Sequence, residues 1–143
     1  MHKSGPIVVI EDDLDDQEVF TSVFNELNYA NEIIFFIDGD EVLKFLNATK
    51  VKPFLIISDI NLPKLNGLEL RDKIQNNAAL NLKCIPYLFF TSSKSQDTVM
   101  HAYSKSIQGF FIKPNSYDEL RRILRNIVQY WLDCEAPILI SNN

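Results

Sequence analysis

IVVIEDD, residues Ile7 to Asp13, sets four consecutive β-branched residues directly against three acids. A run that short, apolar without alternation, reads as a strand buried on both faces, which is the mark of a parallel sheet. The same pattern recurs at Ile33–Ile37, Phe54–Ile57, Tyr87–Phe90 and Phe110–Ile112. Amphipathic stretches separate these runs. Val19, Phe20, Val23, Phe24 and Leu27 make one helical stripe; Val42, Leu43, Phe45 and Leu46 make a shorter one. Leu68, Leu70 and Ile74 suggest a third helix, and Val99, Met100, Ala102 and Tyr103 a fourth. The clearest stripe runs Leu120, Ile123, Leu124, Ile127, Val128 and Trp131, at helical spacing. Ser116 with Glu119 reads as a capping box that starts it, and Asp38 with Glu41 is a weaker start signal for the second helix. Strand and helix thus alternate five times. The expectation is an α/β domain, a doubly wound five-stranded parallel sheet with five helices on its two faces.

At 143 residues the chain has the length of one domain, with a core expected over about residues 6–133 and a short C-terminal tail from 134. The hydrophobic share of 46% and charged share of 23% are those of a soluble globular chain and exclude a disordered one. Fourteen Lys and Arg against nineteen Asp and Glu leave a formal net charge of −5, with no basic run, which argues against nucleic-acid binding. No apolar run approaches the ~20 residues that span a bilayer, and Met1–Pro6 does not start a signal peptide, so no membrane association is expected. Cys84 and Cys134 lack metal-ligand spacing and read as reduced, buried thiols of a cytoplasmic protein.

In a doubly wound sheet the ligand site lies outside the carboxyl ends of the strands. Strand one is followed there by Glu11, Asp12 and Asp13; strand three ends near Ser58 and is followed by Asp59; strand four ends in Thr91, Ser92 and Ser93, and strand five in Lys113-Pro114. Carboxylates crowded together raise one another's pKa, and a hard divalent cation relieves that repulsion. Each residue alone has a plainer use. Asp12 or Asp13 serves as a helix cap, Thr91 caps a helix, and Lys113 is a solvated lysine. Their joint convergence on one rim is what points to chemistry.

Four motifs, VVIEDD (Val8–Asp13), SDINLPKLNGLEL (Ser58–Leu70), FFTSS (Phe89–Ser93) and GFFIKP (Gly109–Pro114), resemble in order and spacing the receiver domain of two-component response regulators. The resemblance covers roughly residues 6–133 and implies a flavodoxin-like strand order, 2-1-3-4-5. It implies a bacterial signalling phosphoacceptor rather than an enzyme, one that assists only its own phosphorylation and dephosphorylation. Asp59 is then the phosphoacceptor. Glu11, Asp12, Asp59 and the backbone carbonyl of Asn61 are the implied ligands of Mg²⁺ or Mn²⁺, with Asp13 facing away. Glu11 departs from the family, which more often has Asp there. Lys113 is implied to pair with Asp59 before reaction and with the phosphoryl group after it, aimed by a cis bond to Pro114. Thr91 and Phe110 are the implied switch pair, Phe110 standing where the family often has Tyr. Asn61 and Ser93 occupy positions that tune phosphate lifetime.

The implied partners are a sensor histidine kinase and a downstream protein target. The stretch from Asn76 to Pro86 resembles that of stand-alone regulators paired with bacterial phytochromes and related kinases. Because the expected fold consumes residues 6–133, output is expected through a protein partner or a homodimer, by way of Met100, Tyr103 and Phe110. Other readings fit less well. A flavodoxin needs a Ser/Thr-rich phosphate loop where Glu11–Asp13 stands. A haloacid-dehalogenase-type phosphatase needs an acid at Asn61 and a cap domain. A receiver-like adaptor working without phosphate has no use for the full set of acids, hydroxyl and lysine. A phosphorelay carrier remains as an alternative output.

Overall fold

The computed structural model describes residues 1–48, 50 and 52–137. The five expected strands form one parallel sheet: β1 (Ile7–Ile10), β2 (Ile33–Phe36), β3 (Leu55–Ser58), β4 (Tyr87–Thr91) and β5 (Gly109–Ile112), in the order β2-β1-β3-β4-β5. The three central strands are buried along their whole length. The edge strands β2 and β5 are mostly half-buried, because each has a neighbour on one side only. Ile37 lies past the end of β2 and is exposed.

Alternation along the strands divides the core in two. Val8, Ile10, Ile56, Tyr87 and Phe89 face one side, and Ile7, Val9, Ile57, Leu88 and Phe90 face the other. Helices α2 (Gly39–Ala48), α3 (Gly67–Asn76) and α5 (Gln96–Tyr103) cover the first face with Val42, Leu46, Leu70, Ile74 and Ala102. Helices α1 (Leu14–Leu27) and α6 (Tyr117–Asp133) pack side by side on the second, with Phe20, Val23, Leu124 and Val128 among the buried residues. Fully burying a side chain of this size contributes about 1.5–3 kcal/mol, so the two stripes are what fasten these helices to the sheet. Met100 and Tyr103, by contrast, lie exposed on α5, where only Ala102 is buried.

The helix count is six among the described residues, not five. The extra element is α4 (Ala78–Asn81), a single turn inside the Asn76–Pro86 connection. Asn77 caps it by accepting the Leu80 N–H at 3.1 Å, and Leu80 is buried beneath it. Four residues are too few to show a helical period, so the turn rests on one cap and one buried leucine. The Asp38 and Ser116 start signals hold: Asp38 accepts the Glu41 N–H at 2.9 Å and Ser116 the Glu119 N–H at 3.2 Å. The Glu119 carboxylate, however, reaches forward to Arg122 at 2.9 Å. The cysteines are unbridged, but Cys84 is exposed and Cys134 half-buried, since both sit in chain that leaves the sheet rather than in it. Of the expected tail, residues 134–137 are described and 138–143 lie outside the described residues. No helix among the described residues is long and apolar enough to cross a membrane.

Candidate functional site

Register builds the site. Ile10 of β1 pairs with Ser58 of β3, so Glu11 and Asp59, each one residue beyond its strand, emerge side by side. The Asp59 N–H donates to the Ile10 carbonyl at 3.0 Å and locks that junction. On the other flank the Lys113 N–H donates to the Thr91 carbonyl at 2.9 Å, which extends the β4–β5 ladder to the lysine. The two ends thus reach the same rim.

The loop after β3 is held tightly. Asp59 Oδ1 accepts the N–H of Ile60 at 2.6 Å and of Asn61 at 3.2 Å. This leaves Oδ2 to face the rim, where Lys113 Nζ lies 2.8 Å away. Gly67, the first residue of α3, donates its N–H to the Ile60 carbonyl at 2.9 Å. A Cβ there would run into the Asp59 carbonyl oxygen and stand 2.9 Å from Phe89 Cε1. Only glycine allows α3 to start this close to Asp59.

Glu11 and Asp59 are buried, with 3% and 8% of their surface exposed, while Asp12 is exposed. Each of the three offers a carboxylate oxygen within 4.8 Å of the others. All three donors are carboxylate oxygens, the hard ligands that Mg²⁺ takes, so the set fits a hard divalent cation. Asn61 sits on the held loop and is exposed. Asp13 does face away: it caps α1 by accepting the Asp16 N–H at 3.1 Å.

Lys113 is the only ammonium paired to these acids among the described residues. Its Nζ lies 2.6 Å from Glu11 Oε2, 2.8 Å from Asp59 Oδ2 and 2.8 Å from Asp16 Oδ2. Burial pushes the Glu11 carboxyl up to about 7, against the opposing hydrogen bond from Lys113. For Lys113 itself, burial works to lower the pKa, but hydrogen bonds to Asp16, Asp59 and Glu11 outweigh it and hold the ammonium above its ordinary range.

Asp16 is the site residue that sequence reasoning missed. The available signal was an acid one helical turn beyond Asp12. Its contact with Lys113 spans 97 positions and exists only in the fold. The cis Lys113–Pro114 bond is a correction: no peptide bond among the described residues is cis. Trans is the lower-energy form even before proline, and here the β5 register and three carboxylates aim the lysine without the isomer.

Thr91 is fully buried, and its Oγ1 accepts the Ser93 N–H at 3.3 Å. Phe110 is half-buried on β5 opposite Phe89, with ring centroids 6.2 Å apart. Because Phe89 and Thr91 are two residues apart on β4, Thr91 and Phe110 project to the same face of the sheet, the face that α5 covers.

A family model for the response regulator receiver domain matches residues 7–125. The chain is 29% identical over 130 residues to the probable methanogenesis regulatory protein FilR2 of Methanothrix harundinacea, covering 88% of this chain and 83% of that protein. It is 28% identical over 132 residues to the response regulator Rcp1 of Synechocystis, covering 89% and 88%. The Mn²⁺-bound form of Rcp1 superposes with a TM-score of 0.78, at 27% identity, over 93% of this chain and 98% of that one. The phosphorylated cyanobacterial phytochrome response regulator RcpA gives a TM-score of 0.80, at 26% identity, over 90% and 94%.

Proposed function

The chain belongs to the response regulator receiver domain family, and from that premise we propose that Asp59 accepts a phosphoryl group from a sensor histidine kinase and that a partner protein reads the change. One observation carries this reading. Asp59 presents Oδ2 to a lysine ammonium that also pairs with Glu11 and Asp16, while its own backbone neighbours hold Oδ1, and it shares a three-carboxylate cluster with Glu11 and Asp12.

The carboxylate attacks phosphorus through Oδ2; a P–O bond forms as the P–N bond to the donor histidine breaks, and the imidazole nitrogen keeps the electron pair. Ile60 and Asn61 orient the nucleophile through Oδ1. Lys113 offsets charge at Oδ2 before reaction and on a phosphoryl oxygen after it. Such a transfer depends on positioning and charge neutralisation more than on covalent chemistry. Glu11, Asp12, Asp59 and the Asn61 carbonyl would hold Mg²⁺ or Mn²⁺, which when bound supplies the remaining neutralisation. The protein is no enzyme toward other substrates on this reading; it acts on its own phosphorylation state.

Output follows from Thr91. A phosphoryl group on Asp59 draws the Thr91 hydroxyl away from the Ser93 N–H, and the space it leaves lets Phe110 turn inward on the same face. That biases α5, β5 and α6 between two packings. Met100 and Tyr103, exposed on α5, offer apolar surface to a target protein or to a second copy of the chain. Likeness to the cyanobacterial phytochrome response regulator RcpA supports a phytochrome-type kinase as the donor. The proposal puts the protein in the cytoplasm, where the phosphohistidine of such a kinase resides, and the net charge of −5 speaks against nucleic acid as the target.

The test is phosphorylation by acetyl phosphate with Mg²⁺, read by intact mass. One phosphoryl group is expected on the parent and none on Asp59→Asn, which keeps the shape and loses the nucleophile. Full labelling of Asp59→Asn would falsify the assignment. Amide hydrogen exchange and sedimentation of the two forms test the output. Changes confined to the Asp59 loops, with α5, β5 and α6 untouched and assembly unaltered, turn the reading to a phosphorelay carrier.

A further inference from the structure

Lys113 has more carboxylate around it than the proposed phosphoryl transfer requires. Its three ammonium hydrogens have three acceptors, on Glu11, Asp59 and Asp16. Glu11 and Asp59 belong to the group of oxygens that lie close enough to share a cation; Asp16 does not. The local structure explains the division. Asp13 ends the loop after β1 as the cap of α1, so Asp12 stays at the rim. Asp16 falls in the first helical turn, with its side chain 41% exposed and directed at the end of β5.

A divalent cation on Glu11, Asp12 and Asp59 would compete with the ammonium for the Glu11 and Asp59 carboxylates and repel it. Without another partner, Lys113 has nothing to keep it beside Asp59 at the moment a phosphoryl group arrives. We propose that Asp16 is a positioning residue for Lys113, holding the ammonium at the end of β5 when Glu11 and Asp59 turn to a divalent cation. Asp16 touches neither the phosphoryl group nor the cation; it acts through the lysine. The role in phosphorylation rests on the Asp59 reading above, whereas the hold on Lys113 does not.

The experiment has two arms, on the full chain. In the first, the rate of reductive methylation of the Lys113 amine is followed by peptide mass, with and without saturating Mg²⁺. Without the ion, Asp16→Asn should match the parent within about twofold, because Glu11 and Asp59 still hold the amine. With Mg²⁺, Asp16→Asn should be modified about three- to fivefold faster than the parent, the scale of a partly exposed ion pair. Asp16→Glu keeps the carboxylate and should restore protection. Asp15→Asn removes one charge from the same helical turn and should behave as the parent. Equal acceleration with and without Mg²⁺, no acceleration, or the same effect from Asp15→Asn each overturns the proposal.

In the second arm, initial phosphorylation by acetyl phosphate and Mg²⁺ should slow about three- to fivefold in Asp16→Asn and recover in Asp16→Glu. An unchanged or faster rate overturns the positioning role, since a faster rate means that Asp16 restrains the lysine. A parent protein that takes up no phosphoryl group overturns the Asp59 reading instead, and the first arm still decides whether Asp16 holds Lys113.

Discussion

The metal-free protein should lose stability as pH rises from 5 to 7.5, and Glu11 should be the cause. Its carboxyl is 3% exposed and titrates at about 7 in the fold against 4.5 for the free group, with burial as the leading cause. Between those two values the folded chain binds the Glu11 proton more tightly than the unfolded chain does, so the free energy of unfolding falls as pH rises. At 1.36 kcal/mol per pH unit the whole window amounts to about 3 kcal/mol, of which about 2 kcal/mol falls between pH 5 and 7.5. That is a fall of about 6 °C in Tm for a domain of this length. The Met1 amine, which burial holds below its ordinary range, works in the opposite sense at the upper end of the window and is common to parent and variant, while the other shifted groups act outside it. Lys113, held above its ordinary range, keeps its contribution until strongly alkaline pH. Glu26, held low by Tyr117 and Arg121, and Glu119, held low by Arg122, lose theirs only as pH falls below the ordinary carboxylate range. Glu11→Gln keeps the shape and stays neutral, so the variant-minus-parent difference isolates the effect. Calorimetry in EDTA should show the variant gaining about 2 kcal/mol on the parent between pH 5 and 7.5. Saturating Mg²⁺ should erase the gap, because an ion that binds only the fold stabilises it by mass action and favours the ionised carboxylate. A difference that stays flat, or one that shrinks as pH rises, refutes the buried-carboxyl reasoning.

Asp12→Ala should weaken Mg²⁺ binding by calorimetric titration yet leave the metal-free protein more stable in urea, because one crowded carboxylate is gone; Mg²⁺ affinity equal to the parent's would make Asp12 no ligand. Gly67→Ala should cost about 2–3 kcal/mol by chemical denaturation, since the new methyl meets the Asp59 carbonyl, which is backbone and cannot yield. A loss under about 0.5 kcal/mol would mean α3 is free to retreat. Arg71→Leu should cost about 2–3 kcal/mol. The buried guanidinium donates to the Lys105 carbonyl at 3.0 Å and the Ser106 carbonyl at 2.6 Å, tying α3 to the turn between α5 and β5. Hydrogen exchange should rise at residues 105–108, and unchanged exchange there would show that Arg71 does not hold the turn.

Short continuous apolar runs are local information, and the chain's own order was enough to place five strands, the acids behind β1 and β3, the hydroxyl at the end of β4 and the lysine beyond β5. Those assignments depend on composition over four or five neighbouring residues, because a strand buried on both faces must be apolar throughout. What needed the tertiary structure was everything set by distance between remote segments. The register of Ile10 with Ser58 puts Glu11 beside Asp59. The packing of α1 beside β5 brings Asp16 to Lys113 across 97 positions. The bond before Pro114 is trans, and three carboxylates from α1 and the ends of β1 and β3 meet the lysine there. Single-turn α4 appears where one buried leucine and one asparagine cap suffice. Burial between the strand ends is the first cause that pushes the Glu11 carboxyl up, with the Asp59 charge adding to it. The sequence alone determined which groups stand at the rim, since each follows its own strand. Which of them touch, and how strongly each holds its proton, was decided by the fold, because pair distances and solvation depend on segments that the chain keeps far apart.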